Sequence, residues 1–366
     1  MIRLICLALV LCFLSFEINA QEIRRPKSII LLIGDGMGLN YVAANILKDQ
    51  NSPFKRFTTV GLSITKSIDE LITDSAAAAT AIATGYPTKN HYISVDSSNN
   101  NLYTIFELAR KKGLSTGIVV TGDVTGATPA PFFAHITSRY ERFDIAKQFI
   151  NSNLDVVIGG GAKNFLQFSS DGNRPDEVNI MKALVSKGYG FYYDFINLSK
   201  SLSSEKIFGL LAKESLPVAS KREYTLGNLT SIALNHLNTN EDGFILMVEG
   251  SQIDWAEHDT NYVYLLSELE DFSTAVNTAL EFAQKDKNTL VIVTADHETG
   301  GMTITDGTYT ADSLKIEFVN THHTAGLVGV FATGPGENLF NGIYDNYMIG
   351  RKIFFLLDDS LEYPFN

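Results

Sequence analysis

The chain has 366 residues, 45% of them hydrophobic, and carries a formal charge of −12 at pH 7. That balance argues against a nucleic-acid-binding surface, which would show a basic face. An acidic protein can still hold phosphate where metal ions supply local positive charge.

Arg3 precedes the apolar run Leu4 to Phe16, and Ile18-Asn19-Ala20 leads into Gln21. This is the pattern of a secretory signal peptide over residues 1–20, cut after Ala20. The run is too short for a membrane span, and no later run is long enough. Both cysteines, Cys6 and Cys12, fall in this leader. Residues 21–366 are therefore expected to form an exported protein, periplasmic or extracellular, with no disulfide, stabilised by its core and by bound metal.

Ser28 to Ile33 is a continuous apolar run, as in a buried parallel strand, and ends in Gly34-Asp35-Gly36-Met37-Gly38. Residues 39–48 read as helix, 57–65 as strand, 75–84 as an alanine-rich helix and 102–112 as an amphipathic helix closed by Gly113. Strands follow at 115–121 and 155–161. Residues 165–225 are polar, carry no motif and read as a peripheral elaboration. A helix at 227–239, strands at 244–248 and 289–294, a long helix near 261–285, a strand at 327–332 and a helix at 345–357 complete the chain. Strands alternating with helices predict a three-layer α/β/α sandwich around a large, mostly parallel sheet, with no clear linker dividing the chain.

The stretch Thr73-Asp74-Ser75-Ala76-Ala77-Ala78-Ala79-Thr80 sets a hydroxyl beside a carboxylate, then a strong helix former. A helix starting at or next to Ser75 would turn that hydroxyl toward free N–H groups and the positive end of the helix dipole, a setting for phosphate. The plain alternative is a capped core helix.

Four positions near strand ends carry metal-type side chains: Asp35, Glu249, the pair Asp296-His297, and the segment Asp254-Trp255-Ala256-Glu257-His258. Asp254 and His258, at i and i+4, share one helix face and can hold one zinc. His322-His323-Thr324 follows later. Taken singly, each has a structural explanation, as a cap, an ion pair or a loop residue. Acids gathered after apolar strands need compensating charge if buried, and divalent metals provide it.

Together with Ala127-Thr128-Pro129-Ala130, His135-Ile136-Thr137-Ser138-Arg139 and Gly159-Gly160-Gly161-Ala162-Lys163, these motifs resemble the alkaline phosphatase family over nearly the whole chain after the leader. The resemblance implies hydrolysis of phosphate monoesters, two zinc ions and a magnesium ion per chain, and a homodimer. Ser75 would be the nucleophile and contact metal, Arg139 the phosphate clamp and Asp74 its orienting partner. One zinc would sit on Asp254, His258 and His323, the other on Asp35, Asp296 and His297, and magnesium on Asp35, Thr128 and Glu249. His323 is preferred to His322 for its spacing to Gly334-Pro335.

Two positions depart from the best-known bacterial form of the family. Gly126 stands where Asp or His commonly helps surround the third metal, and Trp255 stands in the substrate-binding position where Lys or His often follows the zinc-binding Asp. Only 25 residues separate His297 from His323, which leaves room for a small crown domain or none. A phosphodiesterase of the same superfamily and a catalytically dead metal- or phosphate-binding protein are the rival readings. The C/S-x-P-x-R context of a sulfatase is absent.

Overall fold

The computed structural model describes residues 23–362, apart from 171, 177, 202–205 and 309–313. The leader expected over residues 1–20 lies outside the described residues. None of the described helices is long and apolar enough to cross a membrane.

The strands, in chain order, are β1 (Ser28–Gly34), β2 (Thr59–Ile64), β3 (Ser115–Asp123), β4 (Val156–Gly160), β5 (Tyr189–Tyr192), β6 (Lys206–Leu210), β7 (Phe244–Gly250), β8 (Thr289–Thr294), β9 (Glu298–Thr299), β10 (Thr303–Asp306), β11 (Lys315–Glu317), β12 (His323–Thr324), β13 (Val328–Thr333) and β14 (Gly342–Asp345). Ten of them form one sheet in the order β14-β2-β13-β8-β1-β7-β3-β4-β6-β5. Only β13 runs against its neighbours, β2 and β8. The architecture is the expected three-layer sandwich.

Both faces of the sheet are covered, which is why the central strands read as unbroken apolar runs. In β1, Ile29, Leu31 and Ile33 enter one core with Ile82, Phe106, Phe149 and Ile353. Ile30 and Leu32 enter the other, with Tyr41, Leu229, Leu269 and Phe272. The first face carries helices Ser75–Thr84, Ile105–Lys111, Arg142–Ser152 and Tyr347–Leu357. The second carries Leu39–Lys48, Leu226–Leu237 and the long Tyr262–Asp286.

Every residue of helix Ser75–Thr84 is buried. Its alanines let helix Tyr347–Leu357 approach closely, and a Cβ on Gly350 would lie 2.7 Å from the Gly85 nitrogen. Gly85 closes the helix in the left-handed region, at φ 72°.

The parallel register brings the strand ends level. Ile33 of β1 pairs with Glu249 of β7 and with Thr294 of β8, and Val120 of β3 also pairs with Glu249. Asp35, Glu249, Asp296 and the loop after β3 therefore emerge side by side at one edge, where open α/β sheets bind ligands.

Residues 165–225 are more than an appendage. They supply β5 and β6 to the edge of the main sheet. Those short strands lack the long apolar runs of the centre and were not read from sequence. Phe208 of β6 is fully buried, and the rings of Phe149, Phe165, Tyr189 and Phe191 lie 5.3 to 5.8 Å from its own. Phe208→Ala is expected to cost about 3–5 kcal/mol of stability, through lost burial and the cavity left behind. Urea unfolding of the variant against the parent protein measures this.

Candidate active site

Asp74 caps helix Ser75–Thr84, its Oδ1 accepting from Ala77 N at 2.9 Å. Its Oδ2 accepts from Arg139 Nη1 at 2.8 Å and from His91 N at 3.1 Å. One carboxylate thus fixes both the helix start and the guanidinium. Ser75 opens the helix with its hydroxyl 3.2 Å from His297 Nε2.

The second carboxylate cluster surrounds that same nitrogen. Asp35 Oδ1 and Asp296 Oδ2 each lie 3.4 Å from His297 Nε2. Both oxygens are buried without a hydrogen-bond partner. Thr299, which sequence reasoning missed, organises the imidazole from behind. Its hydroxyl donates to Asp254 Oδ1 at 2.7 Å and lies 3.2 Å from His297 Nδ1. The hydroxyl has one proton, already given to Asp254, so His297 Nδ1 is the donor and Nε2 keeps its lone pair. Burial, then the charge of His323, pushes the His297 pKa well below the ordinary value, so the ring is neutral. The only sequence signal for Thr299 is its place directly after Asp296-His297-Glu298.

The third group shares the anchored Nδ1 atoms but not the neutral state throughout, since the hydrogen bond to Asp254 raises His258 to about 9. Helix Gln252–His258 places His258 Nε2 3.3 Å from Asp254 Oδ1, as the i, i+4 spacing predicts. His323 Nε2 lies 3.6 Å from the same oxygen. His258 Nδ1 faces Thr321 O at 2.6 Å and His323 Nδ1 faces Thr73 O at 2.8 Å. Carbonyls can only accept, so both Nδ1 atoms donate and both Nε2 atoms point inward. The pairing of β9 with β12, His323 opposite Thr299, carries His323 into the site. His322 is exposed.

Two triads have ligand atoms within 4.8 Å of one another: Asp254, His258 and His323, and Asp35, Asp254 and His297. Asp254 stands between the two groups. Asp35 is shared in another direction, since its Oδ2 accepts from Thr128 Oγ1 at 3.4 Å. Glu249 is buried beside them.

So many acids in one dry place disturb one another. Burial, then the charge of Asp296, holds Asp35 well above the carboxylate range. Burial brings Glu249 to about 8 and Asp296 to about 7. Burial opposes ionisation of Asp254 too, but the hydrogen bond from His258 and the neighbouring imidazoles outweigh it and bring Asp254 to about 2. Glu257, also missed as a site residue, is fully buried with both oxygens unpartnered, and burial pushes its pKa up strongly. Gly36, at φ 72°, makes room for it, because a Cβ there would strike that carboxylate. Orphaned carboxylate oxygens facing inward-pointing imidazole nitrogens fit divalent cations. The Asp and His donors suit zinc, and the all-oxygen set of Asp35, Thr128 and Glu249 suits magnesium. Trp255 stands at the rim, 37% exposed, beside Gly122 at the end of β3.

A mostly parallel α/β/α sandwich with such a site at its strand ends defines a hydrolase of the metal-dependent phosphatase type. The family model "Alkaline phosphatase" matches residues 26–318. Alkaline phosphatase 3 of Bacillus subtilis is 40% identical over 318 residues, covering 80% of this chain and 67% of that protein. Alkaline phosphatase 4 of the same organism is 41% identical over 304 residues, covering 78% of this chain and 64% of its own length. The chain thus spans about two thirds of these relatives. It aligns with 99% of the alkaline phosphatase of the Antarctic bacterium TAB5, at 36% identity and a TM-score of 0.86 over 92% of this chain. A mutant of that protein, His 135 Asp, has magnesium bound in its M3 site.

The chain belongs to the alkaline phosphatase family, a metal-dependent class of phosphate monoester hydrolases. Thr299→Val keeps the side chain's shape and removes both its contacts. It is expected to weaken divalent metal binding about 10- to 100-fold, the usual effect of losing a group that orients a metal-binding side chain. Competition with a chromogenic chelator measures the change.

Proposed function

We propose that the chain is an exported alkaline phosphatase that cleaves phosphate monoesters through a phosphoserine at Ser75, with two zinc ions and a magnesium ion per chain, working as a homodimer. The observation that carries this reading is the convergence of three imidazole Nε2 atoms, each with Nδ1 tied back. They meet buried carboxylates, and one of them lies 3.2 Å from the Ser75 hydroxyl.

Asp254, His258 and His323 would hold one zinc, Asp35, Asp296 and His297 the other, and Asp35, Thr128 and Glu249 the magnesium. These ions supply Lewis acidity, which lowers the pKa of a serine hydroxyl or water and stabilises a departing alkoxide. The protein's own groups do the rest. Arg139 receives two non-bridging phosphoryl oxygens in its planar fork, and Asp74 holds that fork in place. Ser75 Oγ attacks phosphorus in line with the ester oxygen. The Oγ–P bond forms, the ester O–P bond breaks, and the alcohol leaves with a proton. Water then cleaves the phosphoserine, releasing phosphate and restoring the hydroxyl. Helix Ser75–Thr84 is wholly buried, so Oγ is presented without a mobile loop. Trp255 offers the substrate an apolar wall and a single N–H donor rather than a charge.

Hydrolysis of p-nitrophenyl phosphate from neutral to alkaline pH, beside bis-p-nitrophenyl phosphate and a chelator control, tests the reading. Metal-dependent turnover of the monoester is expected. Preference for the diester would move the chain to a sister activity, and bound zinc without turnover would point to a dead enzyme. Ser75→Ala should abolish most turnover yet retain zinc. Full activity in that variant would remove Ser75 as nucleophile.

A further inference from the structure

His91 stands in the left-handed backbone region, at φ 70°, in the loop that follows helix Ser75–Thr84. That conformation suits glycine and is strained for a residue with a Cβ, so it persists only where the surroundings hold it. Two backbone contacts and one ring contact do so. His91 N donates to Asp74 Oδ2 at 3.1 Å, and His91 O accepts from Arg139 N at 2.9 Å. The imidazole is folded back onto the same carboxylate, with Nδ1 3.2 Å from Asp74 Oδ2.

Glycine would keep both backbone contacts without strain. The ring contact is therefore what histidine adds at this position. A carboxylate oxygen only accepts, so the proton on the ring faces it from Nδ1. Packing does not account for the ring, because 52% of the side-chain surface is exposed. Its ring neighbour is Tyr140, the residue after Arg139, which is 69% exposed with its centroid 5.4 Å away.

Asp74 is itself held in place. Its Oδ1 accepts from Ala77 N at 2.9 Å, and its backbone N donates to Asn90 Oδ1 at 3.0 Å. Oδ2 then meets three donors: the His91 amide, the His91 ring and Arg139 Nη1, the last at 2.8 Å. A carboxylate oxygen offers about two lone-pair sites, so these donors compete for them. Each added donor loosens the hold of Asp74 on the others.

We propose that His91 is a positioning residue of the phosphate clamp. Its ring takes a share of the Asp74 charge and so leaves more of the Arg139 guanidinium charge to a phosphoryl group. This rests on reading Arg139 as the clamp. His91 acts through Asp74 and touches no reacting atom.

The experiment is calorimetric titration of inorganic phosphate into metal-loaded protein at one alkaline pH, for the parent chain, His91→Gly, His91→Asn and Arg139→Ala. Zinc content and melting temperature are measured for each. His91→Gly should bind phosphate about tenfold more weakly, the scale of one hydrogen bond to a charged group. Its melting temperature should stay level or rise, because glycine relieves the backbone. Its KM for p-nitrophenyl phosphate should rise with kcat little changed, as when binding common to ground and transition states is lost. His91→Asn tolerates the same backbone and sets an amide N–H at the place of Nδ1, so it should bind phosphate within about twofold of the parent. Equal phosphate affinity in the parent and His91→Gly would overturn the proposal, and a lowered melting temperature beside it would mark His91 as structural. So would an asparagine variant as weak as the glycine one. If Arg139→Ala loses affinity and His91→Gly does not, the clamp stands and only the role of His91 falls. Phosphate affinity unchanged in Arg139→Ala would remove the clamp itself and the proposal with it.

Discussion

The structure depends on burying carboxylates that cannot all be ionised together. Asp35, Glu249, Asp254, Glu257 and Asp296 sit within one dry edge of the sheet, at 5% exposure or less. Each pays desolvation, and each raises the cost of charging its neighbours. Asp254 alone is held low, by imidazoles that approach it. Without bound cations most of these acids hold their protons instead, and cation binding displaces those protons. Metal affinity and native stability are then two aspects of one interaction.

The rigid parts of the fold are arranged to keep that edge in register. β1 carries Asp35 at its end and is bracketed by β7 and β8, whose ends carry Glu249 and the Asp296-His297 pair. Helix Ser75–Thr84 satisfies both readings of its sequence. It is a buried core helix packed by small residues, and it is also the platform that sets the Ser75 hydroxyl against the His297 imidazole. Asp74 joins the two roles, because the oxygen that caps the helix and the oxygen that holds Arg139 belong to one carboxylate.

Much of this was legible in order of residues. The unbroken apolar strands, the alanine helix from 75 to 84 and the Asp254/His258 pair all come from local periodicity, and the structure reproduces them. The short strands β5 and β6 were not legible, because four or five residues, half-exposed in β5 and buried in β6, are too few to set a distinctive period. Thr299 and Glu257 were passed over for a different reason. A threonine after a histidine or an acid on a helix is ordinary in sequence. Each becomes notable only when its surroundings are dry and its partners are known.

The sequence by itself determined the layered α/β class, the strand ends that bear acids, and the family to which the chain belongs, because hydrophobic period and short motifs are properties of neighbouring residues. Tertiary structure decided which atoms meet. His323 reaches Asp254 through the two-residue pairing of β9 with β12, across a separation that no periodicity spans. The imidazole tautomers follow from Thr73, Thr299 and Thr321, which lie on three separate segments. Proton positions and buried charge depend on distance and solvent access in space, and neither is written in the spacing along a chain.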